Sequence, residues 1–302
     1  MWSACSVSLR FSGTALNAQL GGQANSAFQI VIDGEPKSVI TLKDSQSLYP
    51  VASGLSAGEH TVELCKRTEA FVGMVQIKGF QLPEEGKLLD LPKVTRRVEF
   101  IGDSITAGFG NEAPNEREPF RPETENAWLA WGAVASRILK AELMCEAQSG
   151  IWLMENGRDE PMPKRWDRVF FYDSNNKWDF TRWQPDAVVI NLGTNDAGRP
   201  IDPKTWNDAY HAFLAQIRKV YPQAHLFLTI GSMSHGPMGE IPKLNEAIVE
   251  ECKKAGDSKV HAVTLALQDR ANGIGAAWHP SAKTDEIMGQ TIAAAIAKEL
   301  GW

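Results

Sequence analysis

A chain of 302 residues, 43% of them hydrophobic, is long enough for one large or two medium domains and can bury a core without covalent staples. The formal net charge of −6 and the lack of any long basic run argue against nucleic acid or an anionic membrane surface as partner, and a neutral substrate fits better. The 4 cysteines, Cys5, Cys65, Cys145 and Cys252, are far apart and form no CxxC pair, so buried free thiols are expected and no metal or cofactor.

The N-terminus has no Lys or Arg before Arg10 and no continuous apolar stretch, and no run approaches the roughly 18 apolar residues of a membrane span. The expectation is a cytoplasmic protein, or a secreted one whose N-terminus has been trimmed. From Ser6 to about Gln81 short alternating runs are separated by turn residues: Val7 to Phe11, Phe28 to Ile32 before Asp33-Gly34, His60 to Leu64, and Met74 to Ile77. Period-two alternation at this spacing predicts a small antiparallel sandwich over residues 1–90. Pro83 and Pro92 mark a joint between about 83 and 96, since proline removes a ladder donor and restricts the residue before it.

Residues 96–302 then alternate strands with helices. Strands are predicted at Val98 to Ile101, Glu142 to Glu146, Ala187 to Asn191, His225 to Ile230 and Val260 to Leu265. Helices are predicted from Asn126 through Trp128, Trp131, Val134 and Ile138 to Leu139, from Asp202-Pro203 to about Val220, from Ile241 to Ala255 before Gly256, and from Ser281 to Leu300. This alternation predicts a parallel, doubly wound sheet with ligands beyond the carboxyl ends of its strands. Ser104 follows the first of these strands, Gly150 the second, Asn195 the third and His279 the fifth, so all four collect at one rim.

A serine hydroxyl needs a base within hydrogen-bond reach to attack an acyl carbon, and His279 is the candidate. The other histidines, His60, His211, His225, His235 and His261, lack comparable context. Gly108-Phe109-Gly110-Asn111-Glu112-Ala113 mimics a dinucleotide fingerprint, but Pro114, Pro119 and Pro122 forbid the helix that would bind a pyrophosphate. The stretch from Ile151 to Trp183 carries Trp152, Trp166, Trp178, Trp183 and Tyr172. Such a long insertion either faces substrate with its aromatic rings or is anchored by them. Trp278 adjoins His279 and is therefore placed at the rim.

Gly102-Asp103-Ser104, Gly150, Gly193-Thr194-Asn195-Asp196 and His279-Pro280, in this order, resemble the four blocks of the SGNH (GDSL-type) hydrolase superfamily. The preceding segment, including Lys66-Arg67-Thr68-Glu69-Ala70, makes the whole chain similar to carbohydrate esterase family 2, which joins a β-sandwich to an SGNH domain. The resemblance implies a metal-independent serine esterase that removes short acyl groups, most of all acetyl, from the hydroxyls of an oligo- or polysaccharide. It implies Ser104 and His279 as catalytic residues and the N–H groups of Ser104 and Gly150 with the Asn195 amide as oxyanion donors; Trp278, from its place beside His279, and Trp152, from the aromatic insertion, are the expected substrate contacts. Many relatives carry an aspartate two or three residues before the histidine, where this chain has Ala277 and Ala276. A dyad is therefore expected, with His279 Nδ1 on a main-chain carbonyl or other neutral acceptor and Asp269 and Asp196 uninvolved. A lipid or thioester acyl hydrolase and a non-catalytic carbohydrate-binding protein remain the rival readings.

Overall fold

The computed structural model describes residues 2–44, 46–233 and 236–302, so His235 lies outside the described residues. Two antiparallel sheets form the first part. One has strand order β4 (Glu35–Thr41), β3 (Ala27–Ile32), β6 (Glu59–Lys66), β1 (Ser6–Ser12) and β8 (Lys87–Leu89). The other has the order β5 (Leu48–Ala52), β2 (Leu16–Gly22) and β7 (Val75–Gln81). Alternate residues of both sheets, among them Phe11, Leu16, Leu20, Phe28, Ile30, Val51 and Leu64, close on one shared apolar core. β8 lies inside the segment expected as a joint and pairs antiparallel with β1 through Phe11 and Leu88. No strand spans Asp90 to Arg96.

The second part holds a parallel sheet of order β10 (Glu142–Ala147), β9 (Arg97–Gly102), β11 (Ala187–Asn191), β12 (His225–Thr229) and β13 (Val260–Ala262). Its helices are α1 (Ser104–Ala107), α2 (Trp131–Leu139), α3 (Pro203–Val220), α4 (Ile241–Lys254) and α5 (Ala282–Leu300). β11 is buried along its whole length, as a strand covered on both faces must be. Val98, Phe100 and Val189 turn to one face and pack with Trp131 of α2 and Met288 and Ile292 of α5. Ile101, Val188 and Ile190 turn to the other and pack with Trp206 and Phe213 of α3 and Ile248 of α4. The sheet is thus doubly wound, and its order reverses between β9 and β11, the crevice where ligands of such sheets bind.

Three expectations need correction. α2 begins at Trp131 rather than beside Asn126, because residues 126–130 form turns and Ala130 is extended, at φ −62° and ψ 150°. Asn126 caps one of those turns by accepting from Trp128 N–H, and Ile138 lies half exposed outside the apolar face. β13 stops at Ala262, three residues early. The caps at Asp202 and Ser281 are as expected: each side chain accepts from the N–H three residues on.

Candidate active site

The turn after β9 is one helical turn, α1, that begins at Ser104. Buried Asp103 caps it by accepting from Ile105 N–H at 3.0 Å, and Gly108 closes it at φ +82°. Gly102 has no alternative here, since a Cβ would stand 2.1 Å from Thr106 Oγ1. Burial pushes the Asp103 carboxyl up to about 7, against the pull of the hydrogen bond from Ile105 N–H. Ser104 is thereby fixed at the mouth of the β9–β11 crevice.

His279 arrives from the far end of the chain. Its Nε2 lies 2.8 Å from Ser104 Oγ. Its Nδ1 faces two acceptors, the carbonyls of Ala276 at 3.0 Å and Ala277 at 3.2 Å, so Nδ1 carries the proton and Nε2 is bare. Burial holds the imidazole below its ordinary pKa, although those two carbonyls act in the opposite sense. The preceding turn is unusual: Ala277 and Trp278 both have left-handed backbones, at φ +47° and +67°. Trp278 is 51% exposed, with Arg270 over its ring at 5.1 Å and its carbonyl taken by Gln268. Phe109 packs on the His279 ring at 4.3 Å between centroids and stacks in turn on Phe120 at 4.5 Å.

Asp269 and Asp196 stay away from the imidazole. Asp269 accepts from Ala271 N–H, and buried Asp196 accepts from the N–H groups of Leu153 and Met154 at 3.0 and 2.8 Å. Asp196 therefore anchors the loop after β10. Asn195 does so as well, donating from Nδ2 to the Ile151 carbonyl at 2.8 Å. Gly150 sits between these anchors at φ +77°, a backbone that side chains rarely adopt. Among the described residues neither Ser104 N–H nor Gly150 N–H has an acceptor. Ser104, His279, Gly150 and Asn195 are thus gathered around the ends of β9, β10 and β11.

The aromatic insertion divides. Trp166 is buried and donates to Glu99 Oε1, and Trp183 donates to Glu142 Oε2 at 2.9 Å, so both are anchors. Trp152 and Tyr172 instead line a cleft of about 200 Å³ beside Gly150, together with Asp159, Glu160 and Arg165. His60 pairs with Asp33, His211 with Glu251 and His225 with His261, none near Ser104. Sequence reasoning missed Phe109, Phe120 and the α1 turn, for which no periodic pattern exists. It quoted Glu69 only as part of the segment that carries the family resemblance and missed its contact: Oε2 accepts from Ser149 N–H and Oε1 from Ser149 Oγ–H.

Comparison with known proteins gives two family matches: residues 1–92 match "Carbohydrate esterase 2 N-terminal" and residues 100–287 match "GDSL-like Lipase/Acylhydrolase family". The chain is 37% identical over 306 residues to the cellulase/esterase CelE of Acetivibrio thermocellus, covering all of itself but only 38% of that protein. It is 30% identical over 305 residues to an acetylxylan esterase / glucomannan deacetylase of Cellvibrio japonicus, covering 95% of this chain and 82% of that one. A family two carbohydrate esterase from Clostridium thermocellum, solved in complex with cellohexaose, superposes with a TM-score of 0.94 at 36% identity, covering 100% and 94% of the two chains.

Proposed function

We propose a reaction from one premise: this chain belongs to the GDSL-like acylhydrolases and, among them, to carbohydrate esterase family 2. The proposed reaction is hydrolysis of short acyl esters, chiefly acetyl, on carbohydrate hydroxyls. The observation that carries it is the 2.8 Å contact of His279 Nε2 with Ser104 Oγ while Nδ1 is held by main-chain carbonyls. In this reading Ser104 Oγ attacks the ester carbon and gives its proton to His279 Nε2. Developing negative charge on the carbonyl oxygen is taken by Ser104 N–H, Gly150 N–H and the Asn195 amide. His279 then protonates the departing sugar oxygen, and water, activated by the same imidazole, releases the acid.

An imidazole held below its ordinary pKa is unprotonated at neutral pH, as a base must be. The Ala276 and Ala277 carbonyls orient the ring as an aspartate would, with less stabilisation of the imidazolium. The cleft beside Gly150 is small and lined by charged and aromatic groups, which suits an acetylated sugar better than a long acyl chain. Trp152 at the cleft and Trp278 at the rim are the proposed sugar contacts.

Two assays on purified protein test the reading. Acetate release from acetylated xylo-oligosaccharides and from p-nitrophenyl acetate should far exceed cleavage of the octanoate and palmitate esters. Ser104→Ala should lower both acetate activities at least about a thousandfold with thermal unfolding unchanged. Palmitate as the preferred chain, or an active Ser104→Ala, would overturn it.

A further inference from the structure

Glu69 lies in neither β9–β11 nor their loops; it follows β6 of the antiparallel part by three residues. Both oxygens of its carboxyl nevertheless accept from Ser149, the residue before Gly150. We propose that Glu69 is a positioning residue of the catalytic site, which acts through Ser149 to aim Gly150 N–H at the reacting oxygen. The proposal rests on the acyl-transfer reading above.

The physical case is one of degrees of freedom. Gln148 N–H is tied to the Gly102 carbonyl at 3.2 Å, and the Ile151 carbonyl is tied to Asn195 at 2.8 Å. Between those ties lies the Ser149–Gly150 peptide, which carries the N–H in question. Glycine moves freely between left- and right-handed backbones, and a Cβ at Gly150 would meet nothing within 4 Å, so neither sterics nor packing holds this peptide. It can flip without disturbing its neighbours. Gripping both the N–H and the Oγ of Ser149 from one carboxylate fixes φ and χ1 of that residue, and with them the Cα from which the Ser149–Gly150 peptide departs. A donor aimed before the reaction avoids reorganisation during it.

Glu69 is itself held from behind. Its N–H donates to Glu125 Oε2 at 3.1 Å, and its carbonyl accepts from Lys66 Nζ at 3.0 Å. Arg67 donates from Nε to the Glu125 carbonyl at 3.2 Å and is salt-bridged to Glu112. Lys66, Glu69 and Glu125 are fully buried, so this is a rigid polar cluster rather than a surface pair. Burial drives the Glu125 carboxyl well up, and the facing Glu69 carboxyl drives it further, so Glu125 keeps its proton. Burial raises the Glu69 carboxyl too, against the pull of its bonds to Glu125 and Ser149 and of the nearby Lys66.

Steady-state kinetics on p-nitrophenyl acetate with the whole chain test this, using variants whose folding is checked by circular dichroism. Glu69→Ala should lower kcat about ten- to a hundredfold with KM within about twofold, less than the loss from deleting an oxyanion donor outright. Glu69→Gln keeps an acceptor for Ser149 N–H and should stay within about threefold of the unaltered chain. Ser149→Ala leaves the buried cluster intact, which guards against a misfolded Glu69→Ala, and should lower kcat by more than about threefold at unchanged KM. Ser149→Ala at full kcat, or equal losses in the Ala and Gln variants of Glu69, would overturn the assignment. Activity surviving in Ser104→Ala would instead overturn the acyl-transfer reading on which it rests.

Discussion

The antiparallel and parallel parts of the molecule treat charge in opposite ways. The sandwich sheets close on a cluster of apolar side chains, and Asp33 and His60 pair beside it, with the Asp33 carboxyl half exposed, where each draws the other toward its charged form. Among the described residues around the parallel sheet six acids are buried instead: Glu99, Asp103, Glu125, Glu146, Asp196 and Asp285. Among the described residues of the sandwich, the strip Lys66 to Glu69 buries the most charge, and it touches the loop that carries Gly150. Buried charge therefore follows the site and the junction, not the size of the core, as expected when such groups serve positioning rather than stability.

The largest effect that would sharpen this contrast is chemical. Asn195→Ala should lower kcat about a hundredfold or more, since it removes a proposed donor and frees the Ile151 carbonyl. A loss of less than about fivefold with folding intact would remove Asn195 from the site. Phe11→Ala, in the sandwich core, should do the reverse: a loss of about 3–5 kcal/mol in denaturant unfolding, with kcat per folded molecule unchanged. A fall in kcat alongside stability would show that the two parts are mechanically one.

A third effect is in pH. Glu99 and Asp103 are pushed up to about 7 and Asp285 to about 8, all chiefly by burial. Between the ordinary carboxylate range and those values the folded state holds more protons than the unfolded one, so stability falls as pH rises through that window. His279, His225 and His261 are held low and act oppositely, withdrawing stability as pH falls. Tm should therefore drop between pH 6 and pH 8, and a flat or rising Tm in calorimetry would mean that the buried acids ionise freely. The smallest effect is Asp269→Asn, which should change kcat less than about twofold, because Asp269 only caps a turn at Ala271. A hundredfold loss would restore a triad.

Ser104, Gly150 and Asn195 could be located from the sequence because each lies within four residues of the end of a predicted apolar strand, and strand period and turn chemistry are local properties. His279, by contrast, stands well beyond the last strand and was singled out by the ordered blocks of the family resemblance. The absence of aspartate at 276 and 277 was equally local, and from it followed an acceptor on the main chain, which is where Nδ1 points. The start of α2 was misjudged for a reason that is not local. Ala127 N–H bonds the Arg67 carbonyl across the junction, at 2.9 Å, and helps hold 126–130 in turns despite good helix formers. Glu69 was quoted with the segment that carries the family resemblance, but its partner was not legible for the same cause: Ser149 lies 80 residues on, and nothing in a charged residue says whom it will meet.

The order of the strands has a kinetic consequence. Ser104 and His279 are 175 residues apart, and the polar tie that fastens α5 to the serine loop, Asn111 to Asp285, spans 174. Contacts of such separation close last and slowly, because a long loop must be ordered before they repay it. The sandwich and the β9–β11 pair can form while the imidazole is still adrift. In refolding from denaturant, then, native-like secondary structure should return ahead of activity, and the lag between them should measure the docking of α5 on α2.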